Sequence, residues 1–126
     1  MAKVFYTGSR YVIVFTDRAV ETFGQLNDQS LSHKKALVHW AERVRRFADG
    51  VDLHAPNQIN QEDDGFFAIK SNSMSLRAYC WYCSVHRKNV VVSHFIAKKT
   101  KKLRKADKDT MNDEKRNYTG VEDGTA

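Results

Sequence analysis

Apolar residues in the first half of the chain recur with two different spacings. Tyr11–Phe15 (YVIVF) is a continuous apolar run rich in β-branched residues, and this pattern predicts a buried strand. The preceding Lys3–Tyr6 either belongs to the same strand or pairs with it across a turn at Gly8. Both arrangements are compatible with the sequence.

Two helices are predicted after this strand. Thr16 or Asp17 can cap a first, short helix, whose apolar residues Ala19, Val20, Phe23 and Leu26 share one side. A turn is predicted at Asn27–Ser30, and Ser30 or Ser32 can cap a second helix. This helix is expected to end at a C-terminal capping glycine, Gly50. The apolar residues of the second helix recur at three- and four-residue spacing: Leu37, Trp40, Ala41, Val44, Phe47 and Ala48.

The second half of the chain is rich in strands. A loop over Val51–Gly65 is predicted because it contains the single proline, several amides and an acidic cluster. Three antiparallel strands are expected at Phe66–Lys70, Leu76–Val85 and Lys88–Ala97. A thin apolar seam then predicts a helix over Lys101–Tyr118.

This order of elements predicts an α+β fold. We expect a four-stranded, mainly antiparallel sheet with two N-terminal helices on one face and a basic C-terminal helix. Residues 1–119 are expected to form a single domain and residues 120–126 a disordered tail. We also expect a cytoplasmic protein that does not contact membranes, because the chain shows neither a signal peptide nor an apolar run of about 18 residues.

Side chains alternate along a strand, so the third predicted strand has two different faces. One face combines an arginine with two large aromatic residues, which suits phosphate binding and base stacking. Ordinary cross-strand aromatic packing explains this face equally well. The two faces carry Leu76, Ala78, Cys80 and Tyr82 on one side, and Arg77, Tyr79, Trp81 and Cys83 on the other.

The cysteines and histidines give no metal-ligand pattern. On a strand, the thiols of Cys80 and Cys83 point to opposite faces, so we interpret both as structural cysteines and expect neither a metal nor a cofactor. The five histidines are scattered. His94 shares strand parity with Val90, Val92 and Ile96, which favours a core or rim position over a catalytic one.

Positive charge is concentrated in the second half of the chain. Residues 1–69 contain eight Lys and Arg and nine Asp and Glu, which leaves thirteen bases and six acids for residues 70–126 out of totals of 21 and 15. No carboxylate side chain occurs between Asp64 and Asp107. A sheet without acids that gathers bases indicates a polyanionic partner, such as a nucleic acid.

Several short segments together resemble the RelE/ParE superfamily of bacterial toxins, including its HigB-like branch. These are FFAIK, LRAYCWY, VVVSHFIAKKTKK and the terminal EKRNY, preceded by YVIVFTDRAVETFGQL, and the similarity covers about residues 11–118. The resemblance implies the toxin component of a toxin–antitoxin system. Such a protein would be a ribosome-dependent endoribonuclease that cleaves mRNA without a metal and inhibits translation, held inactive in a complex with an antitoxin protein.

The resemblance also implies a set of catalytic residues. Lys70 would be the general base, and Arg77 would bind the phosphate. Lys98 or Lys99 would protonate the leaving group and Tyr118 would stack on the RNA base, with His94 as a reserve acid. The chain departs from some relatives at Ala68, where they carry a second lysine.

The remaining basic and aromatic residues are expected to bind RNA. The alternatives from other functional classes are a non-catalytic, ParE-type gyrase inhibitor and a basic RNA- or DNA-binding module. The expected RNA contacts are Arg87, Lys88, Lys101, Lys102, Arg104, Lys105, Tyr79 and Trp81.

Overall fold

A computed structural model describes residues 2–71, 73–97 and 103–118. Within these ranges the chain forms three α-helices and a six-stranded sheet, which confirms the α+β class. The helices are α1 (Asp17–Gln29), α2 (Leu31–Ala48) and α3 (Lys105–Asn117). The strands are β1 (Lys3–Thr7), β2 (Val12–Phe15), β3 (Ile59–Gln61), β4 (Phe66–Lys70), β5 (Leu76–Tyr82) and β6 (Asn89–Ala97).

The sheet is larger than the four strands predicted, and it is mixed. Its strand order is β1-β2-β6-β5-β4-β3, with β2 and β6 parallel and the other neighbours antiparallel. β1 is a separate strand that pairs with β2, which decides between the two arrangements left open for this segment. β3 lies inside the segment that was predicted to be a loop. The sequence did not reveal it, because a strand of three residues is too short to show an alternating pattern.

The two N-terminal helices begin where the sequence suggested. The Thr16 hydroxyl accepts a hydrogen bond from the Ala19 amide at the start of α1, and the Ser30 hydroxyl accepts one from the His33 amide at the start of α2. The predicted turn between them is shorter than expected, since α1 continues to Gln29. Gly50 follows the last turn of α2 with a φ of 103°, a conformation that favours glycine.

The sheet is buried on both faces. α1 and α2 cover one face, where Ile13, Phe67, Ala78 and Cys80 belong to the larger core cluster. The face of β5 with Ala78 and Cys80 therefore packs against the helices. Burial raises the pKa of the Cys80 thiol, which fits a structural cysteine.

The opposite face belongs to α3. A second, smaller core cluster forms there. It includes Tyr79, Trp81 and Val91 of the sheet and Met111 of α3. The helix is shorter than predicted, and it is not basic, because Lys105, Lys108, Lys115 and Arg116 are balanced by Asp107, Asp109, Asp113 and Glu114. The expected tail, residues 120–126, and the basic residues 98–102 lie outside the described residues.

Candidate active site

A β-bulge in β6 determines which side chains face α3. Val92 lies opposite Cys80 and His94 lies opposite Tyr79, so Ser93 has no partner in the register. The extra residue reverses the alternation of faces. Val92 therefore packs in the α1–α2 core, whereas His94 turns towards α3. Grouping His94 with Val92 by parity was wrong for this reason.

Four side chains expected to have roles in RNA binding or cleavage come together on the α3 face. Lys70 lies directly opposite Arg77, and Tyr79 lies directly opposite His94, in adjacent positions of neighbouring strands. Directly opposed residues of an antiparallel pair share a face, with Cβ atoms about 5 Å apart. We call Lys70, Arg77, Tyr79 and His94 the Arg77 cluster.

Arg77 is buried without a full set of acceptors. The residue is 5% exposed, and its Nε and Nη1 atoms have no hydrogen-bond partner among the described residues. Lys70 adds a second cation and donates from Nζ to the Pro56 carbonyl at 3.0 Å. Buried donors that lack acceptors are costly, and a guanidinium fits the oxygens of a phosphate or carboxylate. This arrangement is suited to an anion.

Tyr79 stands between Arg77 and His94 as a proton donor. Burial raises the pKa of Tyr79 to about 12, and the charge of Asp107 acts in the same direction, while the Arg77 guanidinium lowers it. The phenol is therefore protonated at neutral pH.

His94 is held on both ring nitrogens. Its Nδ1 lies 2.9 Å from the Ser93 hydroxyl, and its Nε2 lies 3.0 Å from Asp107 Oδ1. Burial lowers the pKa of His94, and its hydrogen bond to Asp107 opposes this only in part. The ring is thus neutral, with Nε2–H donating to Asp107 and Nδ1 accepting from Ser93.

Asp107 is shared between His94 and Arg104. Arg104 Nε donates to Asp107 Oδ2 at 2.8 Å, from the residue that precedes α3. Burial raises the pKa of Asp107, but the hydrogen bonds from Arg104 and His94 outweigh it, so the pKa lies below its ordinary value. The ionised carboxylate fastens the start of α3 to the sheet.

The aromatic side chains Tyr79 and Trp81 of this face are buried and are not exposed to solvent. Tyr79 is 0% exposed and Trp81 is 2% exposed, both in the cluster that includes Met111 of α3. Of the two interpretations of this face, the structure therefore shows cross-strand and helix packing. Neither ring is accessible to an RNA base while α3 is docked.

Tyr118 lies away from the Arg77 cluster. Its ring meets Trp81 edge-on with centroids 5.8 Å apart, and burial raises its pKa to about 12. Trp81 is four residues further along β5 than Arg77, a distance of about 13 Å at the usual rise of a strand. The structure thus places Tyr118 as a packing residue at the far end of the sheet.

The other expected RNA contacts are dispersed. Arg87 and Lys88 lie between β5 and β6, at the opposite end of these strands from Arg77, and Lys88 Nζ donates to the Ser9 carbonyl. Arg104 is engaged by Asp107, and Lys105 is paired with Asp109 at 2.9 Å. The predicted positions of Lys98, Lys99, Lys101 and Lys102 fall outside the described residues.

Sequence reasoning missed two members of the site, Ser93 and Asp107. Asp107 carries one detectable signal, since it is the first carboxylate after the acid-free stretch and stands in the second turn of the helix predicted over Lys101–Tyr118. Ser93 carries none, because a bulge is not visible in an alternating pattern. The Thr16 hydroxyl, which caps α1, also donates to the Ser93 carbonyl at 2.8 Å and so supports the bulge.

The described ranges contain no group of three or more His, Cys, Asp or Glu that could hold a metal ion. They also contain no helix that is long and apolar enough to cross a membrane. Comparison of the chain with protein-family models and with curated proteins found no match.

Proposed function

We propose that this chain is the toxin of a toxin–antitoxin pair of the RelE/ParE type, and that it cleaves messenger RNA on the ribosome. The observation that carries the proposal is the buried Arg77 guanidinium, with two nitrogens that lack acceptors among the described residues, directly opposite Lys70. The chain order β2-α1-α2-β4-β5-β6-α3 supports it, because this is the order that the resemblance implies.

RNA cleavage without a metal requires three things of these residues. The 2′-hydroxyl must lose its proton, the charge on the phosphate must be stabilised, and the leaving 5′-oxygen must be protonated. Once α3 withdraws from this buried face, Arg77 would bind the phosphate oxygens through parallel N–H bonds, assisted by the protonated Tyr79 hydroxyl. Lys70 would take the 2′-hydroxyl proton, for which its ammonium group must first be deprotonated.

The cleavage step needs neither an oxidant nor a reductant. The 2′-oxygen bonds to phosphorus as the bond to the 5′-oxygen breaks, and Lys98 or Lys99 gives the leaving oxygen its proton. The products are a 2′,3′-cyclic phosphate and a free 5′-hydroxyl. His94 enters this scheme only when α3 withdraws, since both of its ring nitrogens are engaged in the docked state.

The proposed partner is a cytoplasmic antitoxin protein that neutralises the basic face of the sheet. An acidic or amphipathic segment would either cover this surface or displace α3. Hydrogen exchange in the presence of the partner should then show new protection in residues 76–105. Protection confined to α2 would contradict this mode of inhibition.

The test is inducible expression in bacteria followed by mapping of transcript 5′ ends. Expression should produce new 5′-hydroxyl ends within reading frames. Arg77→Ala should slow cleavage on the order of 10²-fold or more, as loss of one transition-state donor does. Arg77→Lys should recover little, because an ammonium cannot form the two parallel bonds.

Arg45→Ala is the matched control, since Arg45 is an exposed arginine of α2 that lies over Phe5, away from the Arg77 cluster. It should leave cleavage within a few-fold of the original rate. Equal activity of a folded Arg77→Ala protein would contradict the proposal. Growth arrest with trapped gyrase–DNA complexes and intact transcripts would instead identify the non-catalytic gyrase inhibitor.

A further inference from the structure

A polar cleft lies on the other side of the sheet, behind the end of β4. It has a volume of about 370 Å³ and is formed by the second half of α2, the loop after α2 and the residues that follow β4. This volume lies within the range of small-molecule sites. We call it the α2 cleft. Its polar lining residues include His39, Arg43, Arg46, His54 and Ser71.

Ser71 provides a polar group that lacks a partner. The residue is 4% exposed, and its hydroxyl has no hydrogen-bond partner among the described residues. Ser71 follows Lys70, so its side chain turns to the face opposite the Arg77 cluster. A buried hydroxyl of this kind can both donate to and accept from a bound molecule.

Two arginines give the α2 cleft hydrogen-bond donors for an anion. Arg43 donates to the carbonyl of Lys70, which fixes its guanidinium beside Ser71. Arg46 lies one turn further along α2, on the same side of the helix, and is exposed. Phosphate oxygens are the natural acceptors for such a fork of guanidinium donors.

The remaining lining residues favour a nucleotide over a bare phosphate. Val51 and Leu53 supply apolar surface against which a base can pack, and Glu42 supplies a carboxylate that can accept from a ribose hydroxyl or an exocyclic amine. The second carboxylate, Asp52, is already paired with Arg10 at 3.0 Å, so it weakens the positive field less than a free acid would.

The α2 cleft and the Arg77 cluster meet at Lys70. The Lys70 carbonyl accepts from Arg43 in the cleft, while its side chain lies opposite Arg77 on the other face. Lys70 Nζ also bonds the carbonyl of Pro56, in the loop that walls the cleft. A strand of RNA that crosses the end of β4 would therefore pass from one site to the other.

We propose that the α2 cleft binds one nucleotide of the RNA strand beside the scissile phosphate, with the phosphate on Arg43, Arg46 and Ser71 and the base against Val51 and Leu53. This inference rests on the proposed function. It assigns substrate positioning to a face of the protein that carries none of the expected catalytic residues.

The test is titration of the whole protein with each ribonucleoside 5′-monophosphate and, separately, with inorganic phosphate, followed by NMR of backbone amides. At least one nucleotide should bind and shift the amides of residues 51–54 and 71. Arg46→Ala should weaken that binding about tenfold or more, as loss of a charged hydrogen bond does. Arg45→Ala is the matched control, because Arg45 is the adjacent arginine of α2 and lies over Phe5, outside the cleft.

Equal weakening by Arg45→Ala and Arg46→Ala, phosphate binding as tight as nucleotide binding, or no binding at millimolar concentration would each overturn the inference. The outcome is independent of the cleavage test. If Arg77→Ala loses cleavage but no nucleotide binds in the cleft, the proposed nuclease is supported and the proposed subsite is contradicted. If nucleotide binding requires Arg46 but cleavage does not depend on Arg77, the subsite is supported and the proposed nuclease is contradicted.

Discussion

Two buried basic side chains, His94 and Arg77, lie on the same face of the sheet and are treated differently by their surroundings. His94 has a partner on each ring nitrogen, and it is neutral because burial lowers its pKa. Two nitrogens of Arg77, by contrast, have no acceptor among the described residues. His94 therefore helps to attach α3 to the sheet, whereas Arg77 has hydrogen-bond donors that suit an anionic ligand.

The state of His94 leads to a prediction about stability in acid. The histidine has a lower pKa in the folded protein than in the unfolded chain, so the unfolded chain binds more protons below pH about 6.5. The free energy of unfolding should therefore fall as the pH drops below that value. Asp107, whose pKa is also lowered, should add a further loss below pH about 4.

His94→Gln tests whether His94 causes this loss of stability in acid, because glutamine can still donate to Asp107 but does not titrate. Urea unfolding at pH 7.5 and 5.5 should show a smaller difference in His94→Gln than in the original protein. His86→Gln is the control, since His86 is exposed in the turn before β6. An unchanged pH dependence in His94→Gln would place the acid sensitivity elsewhere.

At the scale of elements, α3 is attached more weakly than α2. Of the α3 residues, all of which the structure describes, Met111 and Asp107 are buried, whereas seven residues of α2 are buried. α3 also adds the ion pairs of Lys108 with Asp63 and Asp64, but these are surface pairs of small energy. We therefore expect α3 to open while the rest of the fold stays intact.

Met111→Ala should expose this difference. Truncating a buried methionine costs about 2–5 kcal/mol when the whole fold must bear it. If α3 detaches first, the global unfolding midpoint should move much less than this cost predicts, and the α3 amides should lose their exchange protection. Hydrogen exchange with mass spectrometry, together with urea unfolding, measures both.

Leu37→Ala in α2 is the matched comparison, because Leu37 is equally buried under the helix layer. It should lower the global midpoint and leave the relative protection of α3 unchanged. A full loss of global stability in Met111→Ala, equal to that in Leu37→Ala, would mean that α3 unfolds together with the sheet.

The same elements explain which parts of the fold could be predicted from sequence. α1, α2 and β4 to β6 were predictable because each carries a strong apolar period and ends at a recognisable cap or turn. β3 was not, since Ile59–Gln61 is only three residues long and too short to show an alternating pattern. The candidate site was half predictable. Strand parity places Arg77 on one face with Tyr79, and the resemblance points to Lys70. The position of His94, however, depends on the Ser93 bulge, and its partner Asp107 comes from a different element.

At the scale of the whole molecule, the net charge is +6, and the bases outnumber the acids only in residues 70–126. The described part of β6 ends at Ala97, opposite Leu76 and next to Arg77, and the sequence continues there with Lys98, Lys99, Lys101 and Lys102. A field of this kind attracts RNA independently of its sequence.

Binding of single-stranded RNA should therefore weaken steeply as salt concentration rises. Lys101→Ala with Lys102→Ala should reduce the slope of log affinity against log salt by about 0.7 for each phosphate that the protein no longer neutralises. Lys34→Ala with Lys35→Ala is the matched control, since these adjacent lysines are exposed on α2. Fluorescence anisotropy between low and physiological salt measures the slope. Constant affinity over this range, or equal slopes in both double variants, would contradict the prediction.

The Ser93 bulge also determines how this chain must be aligned with any relative. A strand without the extra residue would carry its histidine one place earlier and still present it to the α3 face, because removing one residue restores the regular alternation. The correct alignment then needs a gap of a single residue inside β6. A comparison that forbids gaps within strands would pair His94 with a residue of the opposite face, and would lose the similarity at the very position where the histidine meets Asp107.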